Sequence, residues 1–223
     1  MAKLFFFLTC FLFPLSAANA QTTGAISLKN KLVPETFTLS SFPVPAPTAS
    51  FFNETGKETS LQDFRGKIVL LNIWSTSCAQ CVIELPMLDR LQKDMGGVKF
   101  QVVALSSDLE PLPVLRRFWV NRGIKHLKIY FDPQAKFSQA ANVKGLPTTF
   151  LIDENGREMG RLRGITEWDG PKMKAQIRDL IRIAKEKAKK KQEENRIDAS
   201  DSAESRSLSS IKSSKEIQSW FKK

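Results

Sequence analysis

The stretch Ile68-Val69-Leu70-Leu71-Asn72-Ile73-Trp74-Ser75-Thr76-Ser77-Cys78-Ala79-Gln80-Cys81-Val82-Ile83-Glu84-Leu85-Pro86 decides how this chain folds. Its opening run, Ile68 to Ile73, is apolar apart from Asn72 and has the length and β-branched start of a buried strand. Past Cys81 the pattern turns helical, with Leu85, Leu88 and Met95 roughly on one side. A Cys-x-x-Cys at a strand-to-helix junction puts its first sulfur at the helix N-terminus. Unpaired N–H groups and the positive end of the helix dipole favour a thiolate there. Position and spacing both mark a redox site.

Working outward, the 223 residues suffice for one well-buried domain with tails. Residues 1–20 read as a secretory signal peptide. Lys3 is a short positive region, Leu4 to Leu15 is almost wholly apolar, and Ala18-Asn19-Ala20 is a small-residue cleavage site. The alternative is an uncleaved membrane anchor, for which Leu4 to Ala17 is rather short. Export places the domain in the periplasm or an equivalent extracytoplasmic space, where disulfides form and persist. Three cysteines are encoded; Cys10 lies inside the signal, so the mature chain keeps Cys78 and Cys81. A disulfide closing so small a loop adds little stability, which suits a reactive couple better than a staple.

Residues 21–49 show no periodicity, and Pro43, Pro45 and Pro47 suggest a stiff, Pro-rich spacer. Phe51-Phe52, the turn Asn53 to Lys57 and Glu58 to Leu61 predict a short N-terminal β-hairpin. After the helix that follows the cysteines, Gly96-Gly97 is a stop signal, and Val98 to Ser106 reads as a second buried strand. A helix over Leu112 to Arg122, a strand over Leu127 to Phe131 and a short helix over Lys136 to Asn142 follow. Thr148 to Asp153 and Met159 to Arg163 flank Glu154-Asn155-Gly156 and should pair antiparallel. A last helix begins near Asp169, with Met173, Ile177, Leu180, Ile181 and Ala184 as its apolar stripe. The order predicts an α/β domain over residues 50–185, with a mixed central sheet flanked by helices.

From Lys185 the stripe fades into a basic, Ser-rich tail over residues 186–223, expected to fray into disorder. Ile217, Trp220 and Phe221 sit at helical spacing within it. The formal charge of +11 owes much to this tail, through Lys185, Lys187, Lys189, Lys190, Lys191, Lys222 and Lys223. A solvated lysine-rich helix end explains it; anionic lipid or an acidic partner is the other reading. No nucleic-acid motif accompanies the charge.

The chain resembles the thioredoxin superfamily and, within it, the exported TlpA/ResA-like thiol–disulfide reductases. The likeness covers about Phe51 to Lys185 and rests on four segments. Gly66 to Trp74 is similar to the family's entry strand, and Cys78 to Pro86 matches its CxxCxxExP signature. Val143-Lys144-Gly145-Leu146-Pro147-Thr148-Thr149-Phe150 resembles its cis-proline loop, and Arg163-Gly164 before Trp168-Asp169 its approach to the final helix. Ala79-Gln80 departs from the family's Pro-Pro, Glu-Pro or Gly-Pro, and Ser77 from a common tryptophan. The residues between the cysteines tune the reduction potential, so the direction of electron flow stays open.

The resemblance implies a thioredoxin-like fold, disulfide exchange at a redox-active Cys78–Cys81 pair, and no cofactor. Cys78, nearest the helix end, is the expected nucleophile, and Cys81 the resolving thiol. Glu84, one helical turn beyond Cys81 and about 4.5 Å along the axis, is a candidate proton carrier. The alternative for Glu84 is a surface acid favoured by the helix dipole. Sequence alone favours a trans bond before Pro147; the resemblance makes it cis, with Leu146 pairing to a substrate strand. Trp74 is expected beside the site as a substrate contact, or else in the core. The implied partners are disulfides of exported proteins, such as apocytochromes c or copper-centre assembly proteins, and a membrane electron donor of the DsbD/CcdA type. Zinc lacks ligands, since His126 alone joins the two cysteines, and Val82 stands where haem attachment needs histidine. A Cu(I) chaperone holding metal between the two thiolates and a peroxiredoxin-like thiol peroxidase are the rival readings.

Overall fold

The computed structural model describes residues 37–220. The signal peptide expected over residues 1–20 lies outside them, as does Phe221. Eight strands form one mixed sheet in the order β1-β8-β7-β4-β5-β6-β2-β3. They are β1 (Thr38–Pro45), β2 (Phe51–Asn53), β3 (Glu58–Thr59), β4 (Ile68–Trp74), β5 (Phe100–Ser106), β6 (Tyr130–Phe131), β7 (Thr148–Ile152) and β8 (Arg157–Arg163). The helices are α1 (Ala79–Met95), α2 (Leu112–Asn121), α3 (Lys136–Ala140) and α4 (Pro171–Trp220). This is the expected α/β, thioredoxin-like architecture.

β4 is central, parallel to β5 on one side and antiparallel to β7 on the other. All of its residues are buried, and its period-2 alternation sorts them between two cores. Ile68, Leu70 and Trp74 face α1, α2 and α4, joining Leu85, Leu88, Leu115, Trp119 and Ile177. Val69, Leu71 and Ile73 face the other way, toward Phe51, Phe64, Phe137 and Phe150. Asn72, at an even position, therefore points to the α1 side. The predicted hairpin β2–β3 forms, and β2 also pairs with β6, so the hairpin lengthens the sheet at its rim.

Two expectations need correction. The Pro-rich spacer assigned to residues 21–49 gives way at Thr38, where β1 pairs antiparallel with β8 and closes the opposite rim. Proline lacks an N–H for a central ladder but is tolerated at an edge, which is where Pro43 and Pro45 sit. The tail expected to be mostly disordered is helical, since α4 runs without a break to Trp220. Residues 185–220 carry no glycine or proline, and residues 185–196 are almost all Lys, Glu, Ala, Gln or Arg, so propensity extends the helix past the end of the apolar stripe. Among the described residues no helix is long and apolar enough to cross a membrane.

α1 also anchors a loop that carries no regular structure. Asp89, only 7% exposed, accepts the backbone N–H groups of Lys125, His126 and Leu127 through Oδ1, at 3.1, 2.6 and 2.8 Å. Removing this carboxylate leaves several backbone donors unmatched, each costing about 1 kcal/mol or more. Asp89→Ala is expected to lower stability by about 2–3 kcal/mol, read as a lower urea midpoint at unchanged slope. Asp89→Asn, which keeps a carbonyl acceptor, should lose clearly less, and equal losses would contradict the assignment.

Candidate active site

β4 ends at Trp74, and the chain enters α1 through Ser75, Thr76 and Ser77. Cys78 is the N-cap of α1: its Sγ accepts the Cys81 N–H at 3.2 Å, and its carbonyl accepts the Val82 N–H at 3.1 Å. Cys78 is half-buried and Cys81 fully buried. The two are joined in a disulfide with a Cα–Cα distance of 5.2 Å. In the reduced state the same N–H and the helix dipole favour negative charge on Cys78. The sulfur facing solvent is thus the one the backbone activates.

The loop that presents Cys78 is clamped from β5. Asp108, buried, accepts the Thr76 N–H at 2.9 and 3.0 Å, the Thr76 hydroxyl at 2.8 Å and the Ser106 hydroxyl at 2.7 Å. Asp108 is not legible in the sequence because its partner, Thr76, lies in a loop 32 residues earlier. A lone acid after a strand carries no one-dimensional signal.

Glu84 is completely buried, so the surface-acid reading falls. Its Oε1 accepts Asn72 Nδ2–H at 2.6 Å and its Oε2 accepts Trp168 Nε1–H at 2.8 Å. Burial pushes the carboxyl up to about 7, against the two N–H donors, which pull it down. A carboxyl poised there, one turn from Cys81, can hold or release a proton near neutral pH. Asn72 and Trp168 converge on Glu84 from β4 and from the segment before α4, a meeting that helical spacing alone does not reveal. The available signal was chemical: a buried indole N–H needs an acceptor.

β7 runs antiparallel to β4 with Thr148 opposite Ile73, so the Leu146–Pro147 bond lies at the same end of the sheet as Cys78. That bond is cis, with Leu146 half-buried and Pro147 buried. Trp74 is different. It is fully buried, with ring centroids 5.4 Å from Phe118 and 5.1 Å from Trp119. This corrects the expectation that it contacts substrate: it is core packing beneath the pair. His126 is exposed and lines a cavity of about 480 Å³ at the other end of the sheet, with Lys67 and Lys128. Among the described residues no cluster of three or more His, Cys, Asp or Glu is gathered that could hold a metal.

Residues 43–177 match the Redoxin family. The chain belongs to this family. Within it, the thiol–disulfide oxidoreductase ResA of Bacillus thuringiensis subsp. konkukian is 30% identical over 119 residues, covering 53% of this chain and 68% of the relative. ResA of Geobacillus kaustophilus is 36% identical over 111 residues, 50% of this chain and 63% of that one. A Chlorobium tepidum structure, a candidate thiol:disulfide interchange protein DsbE, aligns with TM-score 0.56 and 28% identity, over 65% of this chain and 99% of that one. This redoxin is a TlpA/ResA-like member of the thioredoxin superfamily and a protein-disulfide oxidoreductase.

Proposed function

We propose that this redoxin is exported and reduces disulfides in other exported proteins through Cys78 and Cys81. The observation that carries the reading is the asymmetry of the pair. Cys78 is accessible and capped by a backbone N–H, with Cys81 sealed behind it and a buried carboxyl one turn on. In the reduced enzyme the Cys78 thiolate attacks one sulfur of the substrate disulfide, and the other sulfur leaves as a thiolate that takes a proton from water. Glu84 takes the proton of Cys81, and the Cys81 thiolate attacks Cys78 Sγ. That step releases the second substrate thiolate and leaves the enzyme as the disulfide. Two electrons have passed to the substrate. Leu146, beside Pro147, offers its backbone to the substrate strand.

A membrane donor of the DsbD/CcdA type would restore the dithiol, and apocytochromes c or copper-centre assembly proteins are the proposed substrates. Support comes from the apolar run ahead of Ala18-Asn19-Ala20 and from the ResA-named relatives. The test uses Cys81→Ser in the full chain, which stalls after the first exchange. Cells expressing it should accumulate reductant-sensitive adducts joined through Cys78 to exported polypeptides. Adducts confined to cytoplasmic proteins would overturn export, and no adducts at all would overturn the exchange mechanism.

A further inference from the structure

Asn72 is fully buried, yet it uses only part of its amide. Its Nδ2 donates to Glu84 Oε1 at 2.6 Å and to Thr149 Oγ1, its cross-strand neighbour on β7, at 2.9 Å. Its Oδ1 has no hydrogen-bond partner among the described residues. A buried carbonyl without a donor is costly, and an apolar side chain would fill this strand position without that cost. The amide needs a reason to be there.

The reason lies in what Glu84 requires in its two states. Ionised, the carboxylate only accepts, and it is matched by N–H groups from Asn72 and Trp168. Protonated, it carries an O–H that must find an acceptor, and an indole N–H cannot supply one. Oδ1 of Asn72 can. A half-turn of the amide about its last side-chain torsion exchanges Nδ2 for Oδ1 against Glu84 Oε1. The Thr149 hydroxyl, which accepts in the first orientation, can donate in the second. The turn exchanges an idle carbonyl for an idle NH2, a cost that the new bond from the Glu84 O–H offsets.

We infer that Asn72 is a positioning residue that turns its amide over as Glu84 gains and loses a proton, so that each state meets a matched partner. This rests on the reading that Glu84 carries the Cys81 proton, and it explains how a sealed carboxyl keeps both states accessible. Glu84 is faced by Asn72 from β4 and by Trp168 from the segment before α4, and Cys81 lies one turn before it on its own helix. Asp169, next to Trp168, is neutralised by Arg90 at 2.5 Å, and no charged group contributes to the state of Glu84. The motion therefore has one trigger.

The experiment follows both groups by NMR in the isotopically labelled, oxidised full chain between pH 4 and 9. The Asn72 side-chain NH2 signals should move with the same midpoint as the Glu84 carboxyl carbon, and their contacts to Thr149 should weaken below it. Contacts that persist while Glu84 titrates would overturn the inference and leave its proton-carrying role intact. An amide that turns at the Glu84 midpoint while alkylation of the reduced thiols ignores that midpoint would support the inference and remove the shuttle. Asn72→Leu can neither donate nor accept, so a turning amide predicts that the Glu84 midpoint moves by less than about one unit, since a bond is lost in each state. A rise in proton affinity well beyond about tenfold would mark Asn72 as a fixed donor to the carboxylate alone and overturn the inference.

Discussion

Cys78→Ser protein should reduce insulin disulfides no faster than the uncatalysed background, a loss on the order of 1000-fold or more. Serine fills the same N-cap, and its oxygen can accept the Cys81 N–H, so the helix start keeps its hydrogen bond. What disappears is the sulfur nucleophile. Cys81 cannot stand in for it, because that side chain is fully buried against Leu85 and Trp74 and no substrate reaches it. Thermal unfolding of the variant should stay close to that of the reduced wild type, separating lost chemistry from lost fold. Retained turnover would mean that exchange begins at another atom, and the proposed mechanism would be withdrawn.

The second large effect is a dependence of stability on pH that belongs to one buried acid. Glu84 rises from an ordinary 4.5 to about 7 in the fold, so the native state holds its proton where the unfolded chain has released it. Below pH 4.5 the group is protonated in both states and costs nothing. Between 4.5 and 7 the unfolded state binds fewer protons, and stability falls as pH rises; above 7 the loss is complete. At 1.36 kcal/mol per unit it amounts to roughly 3 kcal/mol. Urea unfolding of oxidised wild type minus Glu84→Gln should trace this fall, because glutamine does not titrate. A flat difference curve would show that Glu84 ionises freely and would remove the physical basis for its role in proton transfer.

The site was legible where chemistry and periodicity coincide, and illegible where they part. Cys78 at a strand-to-helix junction could be placed from its neighbours alone, since the apolar run and the helical pattern meet around it. Glu84 could be placed one turn from Cys81, but helical spacing relates a residue to its own helix and not to what covers it. Its burial depends on Asn72, on the strand beneath the helix, and on Trp168, 84 residues further along the chain. Trp74 was misjudged for the related reason that an aromatic at a strand's end suits core and surface equally. The prolines at 43 and 45 argued against a strand, an inference sound for a sheet's centre and wrong at its rim. Beyond Lys185 the apolar pattern was the wrong instrument, because composition alone carries the helix onward.

The two rims of the sheet have a consequence for a protein that exchanges disulfides with other polypeptides. A polypeptide with unpaired backbone readily extends any open ladder it meets. Here one outer strand carries Pro43 and Pro45, and the other is the two-residue Glu58–Thr59 with a charged, exposed glutamate. Neither offers a long run of free donors on which a foreign chain can nucleate. The cysteine pair can meet another polypeptide without the outer strands being drawn into its ladders.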